Sequence, residues 1–160
     1  MTLGWRRLAG LAAAGSAATL LAAFGFQHLG GLVPCPLCIW QRWPHAAAIV
    51  LGGAALAFGW RPAAAAGALA MLVGAGLGFF HAGVEQGWWR GPSTCSAAPI
   101  GGLTPEQLLA QIMAAPLVRC DEIPWSLMGL SMAGWNAVLS LALAALFAAA
   151  YASSSASQYR

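Results

Sequence analysis

The stretch PCPLCIWQRWPHAAAIVLGGAALAFGW, Pro34 to Trp60, opens with two cysteines set two residues apart and a lone arginine. From Pro44 it continues as an uncharged apolar run. Similar low-charge runs occupy residues 8–26, 63–80 and 127–151. Each is near the roughly 17 to 25 residues that cross about 30 Å of hydrocarbon as a helix. Hydrophobic residues make up 60% of the 160 and charged ones 7%, against about a quarter charged in ordinary soluble domains. Such a chain suits lipid better than water. The runs are rich in Ala, Leu and Gly and lack strand alternation, which points to helices, each satisfying its own backbone, rather than to a barrel. The reading is an all-α membrane protein, a four-transmembrane-helix bundle forming one domain over residues 1–160. Its helices are expected at about 8–27, 43–60, 63–82 and 127–151, with loops at about 28–42 and 83–126. Gly74 and Gly78 offer a small-xxx-small face on the third.

The first run follows Arg6 and Arg7 and contains small residues, as a cleaved signal peptide would. It is longer than the usual h-region and reads as a retained anchor. The chain has seven arginines and no lysine. Arg6, Arg7, Arg61 and Arg160 fall on one side of the expected membrane, and Arg42, Arg90 and Arg119 on the other together with all four acids, Glu85, Glu106, Asp121 and Glu122. The positive-inside rule then puts both termini in the cytoplasm and the two loops outside. No nucleic-acid partner is expected.

All four cysteines, Cys35, Cys38, Cys95 and Cys120, lie in those outward loops. Cysteines on an oxidising face pair, and four allow three connectivities, of which Cys35 with Cys38 and Cys95 with Cys120 is the natural grouping. A four-cysteine zinc site calls for two tight hairpin pairs, and here one pair is widely spaced, so no metal is expected. A structural staple across two residues closes too small a loop to constrain the unfolded chain. A C-x-x-C dithiol is well suited to redox exchange, because its second thiol resolves a mixed disulfide on the first. Cys38 is expected at or just before a helix start, with Arg42 four residues on. Both the helix dipole and the guanidinium would lower its thiol pKa. Pro44 leaves two possibilities open: a helix that begins near Cys38 and is distorted in its second turn, or one that begins near Trp43 with Cys38 in an ordered cap. Without the cysteines, Arg42 would read as an interfacial anchor.

In the second loop, LTPEQLLAQIMAAP predicts a short helix with Thr104 at the N-cap, Pro105 at its first position, Gln107 closing a capping box and Pro116 after its end. Leu108, Leu109, Ile112 and Met113 give it an apolar face. It is too short to span and is expected to lie in the membrane surface, an interfacial helix of the second outward loop.

Two separated cysteine pairs on one face suggest an electron relay, which needs a terminal acceptor in the bilayer. The chain carries no haem, nucleotide-loop or iron–sulfur pattern, and a lipid-soluble quinone is the simplest acceptor left. Phe26, Gln27, His28, Trp40, Trp43, Phe79, Phe80, His81, Trp88 and Trp89 cluster where such a headgroup would rest, although an aromatic belt accounts for most of them. His81 and Glu85 share a helical face if the third helix reaches that far.

At FQHLGGLVPCPLCIWQR (Phe26 to Arg42), at the outer pair Cys95 and Cys120, and at CDEIPWSLMGLSMAGWN (Cys120 to Asn136), the chain resembles the DsbB disulfide bond formation proteins of bacterial inner membranes. The resemblance covers essentially the whole chain. It implies a thiol:quinone oxidoreductase that reoxidises a periplasmic thioredoxin-fold oxidase of the DsbA type and generates disulfides de novo. Cys95 would form the mixed disulfide with that partner. Cys120, once released, could engage Cys35, and Cys38 would then face ubiquinone or menaquinone with Arg42 stabilising negative charge. The family's pattern further implies a quinone-site role for His81 and for Gln27 and His28. Two rivals are a redox enzyme like vitamin K epoxide reductase, whose C-x-x-C is expected inside a later helix, and a disulfide-stapled membrane scaffold without catalysis.

Overall fold

The computed structural model describes residues 4–92, 102, 104–114 and 118–156; Cys95 lies outside them. The elements run α1 (Trp5–His28), α2 (Pro36–Trp40), α3 (Arg42–Phe58), α4 (Arg61–Glu85), α5 (Pro105–Ala114), β1 (Ser126–Leu127), β2 (Leu130–Ser131) and α6 (Met132–Ala156). Three of the helices, α1, α4 and α6, are long and apolar enough to cross a membrane. The fourth long helix, α3, has 17 residues, about 25 Å of rise. These four close a ring in which α1 packs on α3 and α6, and α4 packs on α3 and α6.

Small residues let the helices approach. Ala9, Ala12, Ala48, Ala55, Ala63 and Ala64 are fully buried in one core with Met71 and Phe147. A Cβ at Gly78 would come within 2.8 Å of the Ala137 backbone nitrogen, and one at Gly67 within 2.7 Å of the Phe147 ring. Both glycines therefore hold helix contacts that any side chain would push apart. The turn from α3 to α4 needs only Gly59, left-handed at φ 66°, and Trp60. Arg6 covers the carbonyls exposed at the end of α3, donating from Nε to Leu56 O at 2.9 Å and from Nη2 to Leu56 O and Ala57 O.

The last long helix starts later than its apolar run. Residues 126–131 form a hairpin pairing Ser126 with Ser131 and Leu127 with Leu130. Met128 and Gly129, at φ 53° and 78°, make its turn, the positive-φ pair that suits a two-residue hairpin. Ser131 then caps α6 by accepting the Gly134 N–H at 3.1 Å. The helix expected from residue 127 thus begins at Met132, because hydropathy does not register a reversal made of apolar residues. At α5 the capping box forms as the sequence predicts: Thr104 N–H donates to Gln107 Oε1 at 3.0 Å, and Gln107 N–H to Thr104 Oγ1 at 3.4 Å. Leu109, Ile112 and Met113 on this helix are exposed.

Candidate functional site

The cysteine pair is shaped by its prolines. Pro36 fixes the first position of α2, which makes Cys35 the N-cap, and Cys35 Sγ accepts the Cys38 backbone N–H at 3.2 Å. Pro44 has no N–H to offer Trp40 O and its ring crowds that carbonyl. The chain accordingly breaks at Gln41, and α3 starts afresh at Arg42 with Pro44 in its first turn. Both alternatives left open by the sequence are therefore partly realised, with a one-turn helix holding the cysteines and a separate long helix after it.

The Cys35 and Cys38 sulfurs share a hydrogen bond at 2.9 Å, well beyond the roughly 2.05 Å of a disulfide, so the pair stands as a dithiol. The expectation that Cys38 ionises easily is corrected here. Its thiol pKa is pushed far above the ordinary value, first by the hydrogen bond with Cys35, then by burial and by charge on Cys35; His81 opposes this more weakly. The cap atom is Cys35, one turn earlier than expected, and the Arg42 guanidinium lies over the Phe24 ring, 4.8 Å from its centroid. Among the described residues no carboxylate pairs with Arg42.

Beside the dithiol lies a cavity of about 350 Å³ with mostly apolar walls. Cys35, Cys38, Arg42 and His81 line it, as do Glu85, Arg119 and Glu122 and the rings of Phe26 and Trp125, whose centroids are 5.3 Å apart. The expectation that Gln27 and His28 join the site is not met. Phe26 faces the cavity, and the next two positions lie about 100° and 200° further round the helix. Gln27 Oε1 is buried without a hydrogen-bond partner, and His28 stacks on Phe24. Most of the aromatic cluster is also elsewhere: Phe79, Phe80, Trp88 and Trp89 pack on one another, and Trp40 and Trp43 are exposed.

Three polar residues that the sequence did not single out, Gln41, His45 and Asn136, complete the site. His81 Nε2 lies 3.6 Å from Cys35 Sγ and 3.9 Å from Glu85 Oε1, since α4 does continue to Glu85. His81 Nδ1 meets Gln41 Nε2 at 2.7 Å. Gln41 Oε1 accepts from Asn136 Nδ2 at 2.7 Å, and Asn136 Oδ1 meets His45 Nε2 at 2.9 Å. Gln41, His45 and His81 are each at most 6% exposed. The signal that could have found them is that a polar side chain inside a membrane-length apolar segment is functional by default.

The two sulfurs and a His81 ring nitrogen lie within 4.8 Å of one another, a set that could hold a metal ion. The sulfurs would first have to move apart, because two thiolates on one tetrahedral zinc sit roughly 3.8 Å from each other. Cys120 is fully buried and packs in one cluster with Cys35, Leu37 and Val84, against which Cys38, Phe80 and Trp89 also rest. Next to it Arg119 holds Asp121 in a two-point ion pair at 2.9 and 2.7 Å, which keeps the Asp121 carboxyl below its usual range.

A helical bundle with membrane-length apolar helices, a half-buried C-x-x-C dithiol and a third cysteine packed against it is a membrane protein built for thiol redox chemistry. The family model for disulfide bond formation protein DsbB matches residues 5–150, and the chain belongs to that family. Among curated relatives, disulfide bond formation protein B of Acidovorax sp. (strain JS42) is 32% identical over 150 residues, covering 88% of this chain and 84% of the relative. The protein of the same name from Verminephrobacter eiseniae (strain EF01-2) is 34% identical over 163 residues, covering 89% and 86%. No solved structure matches the chain significantly.

Proposed function

We propose that the protein is a protein-disulfide:quinone oxidoreductase of the bacterial inner membrane that reoxidises a DsbA-type periplasmic dithiol oxidase. The observation that carries the reading is the C-x-x-C dithiol opening onto a mostly apolar cavity that Arg42 and His81 also line, with His81 Nε2 3.6 Å from Cys35 Sγ. In this reading α3 is the fourth span, the termini are cytoplasmic, the cysteines face the periplasm, and α5 lies along the membrane surface.

The cavity fits a quinone ring. Its walls are mostly apolar, and Arg42 offers a cation that forms no ion pair with a described carboxylate, although Glu85 and Glu122 also line the cavity. Arg42 and His81 would hold ubiquinone or menaquinone, which when bound supplies an acceptor for two electrons and two protons. A thiolate of the partner attacks the Cys95–Cys120 disulfide at Cys95, and Cys120 leaves as the thiolate. The partner's second thiolate then attacks the mixed disulfide, so the partner departs oxidised. Cys120, packed in the cluster of Cys35, exchanges with the Cys35–Cys38 disulfide at Cys35 and releases Cys38. Cys95 then attacks Cys120 in the Cys35–Cys120 disulfide, which restores the outer pair and releases Cys35; closure of the Cys35–Cys38 disulfide gives up two electrons and two protons, which a bound quinone would accept.

The raised Cys38 pKa supports this order. Its largest cause is the hydrogen bond with the Cys35 thiol. Bonding Cys35 to Cys120 removes that partner and with it the largest cause that holds the Cys38 thiol protonated, while burial still acts against its charge.

The test mixes detergent-purified protein, without oxygen, with ubiquinone and a reduced DsbA-type protein, and follows quinone absorbance. Wild type should consume oxidised quinone and Cys38→Ser should not, while Cys38→Ser still binds the partner. Turnover retained by Cys38→Ser would sink the relay. No reduction of ubiquinone or menaquinone by folded wild type would sink the assignment and leave a stapled scaffold.

A further inference from the structure

The polar chain behind the dithiol has a direction, and the backbone fixes it. Gln41 Nε2 lies 3.2 Å from the carbonyl oxygen of Leu37. A carbonyl only accepts, so the amide group facing it is the NH2 and the flip of Gln41 is determined. The second proton of that NH2 meets His81 Nδ1 at 2.7 Å, so Nδ1 must be the bare nitrogen, and in a neutral ring the proton sits on Nε2. Gln41 Oε1 in turn requires a donor, which Asn136 Nδ2 supplies at 2.7 Å. Asn136 Oδ1 is thereby turned to His45 Nε2 at 2.9 Å, which must carry a proton. His45 Nδ1, the end of the chain, has no partner.

We infer that Gln41, Asn136 and His45 form a one-way hydrogen-bond chain that locks His81 in the Nε2–H tautomer, so that His81 presents a proton, and not a lone pair, to the sulfur of Cys35. Each link donates toward the dithiol, from His45 on α3 through Asn136 on α6 and Gln41 to His81 on α4. Of the two acceptors near His81 Nε2, Cys35 Sγ at 3.6 Å is within reach of an N–H···S bond, whereas Glu85 Oε1 at 3.9 Å is too far for N–H···O. Glu85 is served instead by the Ser131 side chain.

The use of this lock rests on the proposed relay. His81 so fixed does not take a proton from Cys35. Together with the Cys38 N–H it donates to Cys35 Sγ, favouring charge there whenever exchange returns Cys35 as the leaving sulfur. Gln41, Asn136 and His45 are positioning residues that act through His81.

The test labels the full-length reduced protein with 15N-histidine and reads which ring nitrogens carry protons by NMR, with the His81→Gln spectrum assigning the signals. Wild type should show His81 protonated at Nε2 and bare at Nδ1. Gln41→Met removes the donor to Nδ1 and should give a mixture of tautomers. Asn136→Asp keeps the shape, but its carboxylate only accepts and competes with the Leu37 carbonyl for the Gln41 NH2, so part of the His81 population should move its proton to Nδ1. In the quinone assay Asn136→Asp should then turn over about tenfold more slowly, the scale of one lost charge-assisted hydrogen bond. A wild-type His81 protonated at Nδ1, or an Asn136→Asp protein with unchanged His81 signals, would overturn the inference. The wild-type spectrum decides even if both variants fail to fold. No quinone is needed for it, so tautomer shifts in a protein inert toward quinone would refute the proposed activity and leave the lock standing.

Discussion

The two ends of the bundle are built on different physics. Around Phe147 the helices meet through alanine and glycine, and burial and close packing hold them. Around Cys35 the same helices meet through side-chain hydrogen bonds, from His45 through Asn136 and Gln41 to His81, and leave a cavity of about 350 Å³. A packed interface loses stability for every atom removed, whereas a hydrogen-bonded one specifies orientation and can leave space for a ligand. One end therefore holds the fold and the other positions reactive groups.

Phe147→Ala is the strongest attempt to break that contrast. The ring is fully buried over Gly52 and Gly67, and its loss should destabilise the protein by about 3 kcal/mol. Denaturant unfolding in detergent reads this as a lower midpoint, while quinone reduction per folded molecule stays near wild type. A raised KM or a lowered kcat in the folded fraction would show that the two ends are coupled. Arg42→Ala should do the reverse. With the cation gone from the cavity wall, the apparent KM for quinone should rise about tenfold, equivalent to about 1.4 kcal/mol, with the unfolding midpoint almost unmoved; an unchanged KM would remove Arg42 from the site. The gentlest probe is the pH dependence of Cys38 alkylation in the reduced protein. A raised thiol pKa keeps the group protonated as pH rises, so alkylation should stay slow through pH 9.0, the ordinary midpoint, and climb only above it. In Cys35→Ala, which lacks the hydrogen-bonding partner, the rise should come at lower pH. A wild-type midpoint below 9.0 would refute the coupling of the two thiols.

Much of this was legible in the chain. The apolar runs mark the long helices, the cysteines fall outside them, and the Thr104 and Gln107 pair marks α5, because each signal is local and repeats with the period of the structure it forms. Other features were hidden for equally physical reasons. Two of the three residues closing the hairpin before α6 around Gly129, Met128 and Leu130, are apolar, so hydropathy merges it with the helix. Gln27 and His28 adjoin a cavity-facing Phe26 yet turn away, because one residue along a helix changes the face. Cys38 was judged by its nearest dipole and cation, but its ionisation is governed by a contact with Cys35 at 2.9 Å that only folded coordinates reveal.

By itself the sequence determined that this is a helical membrane protein with its cysteines gathered in two loops, because solvation by lipid or water acts on each segment separately. Only the tertiary structure decided that His45, Gln41, His81 and Asn136, spread over 95 positions, form one polar chain behind a cysteine pair. A hydrogen bond depends on a few tenths of an ångström and on which atom faces which, and that geometry exists only once α3, α4 and α6 have packed.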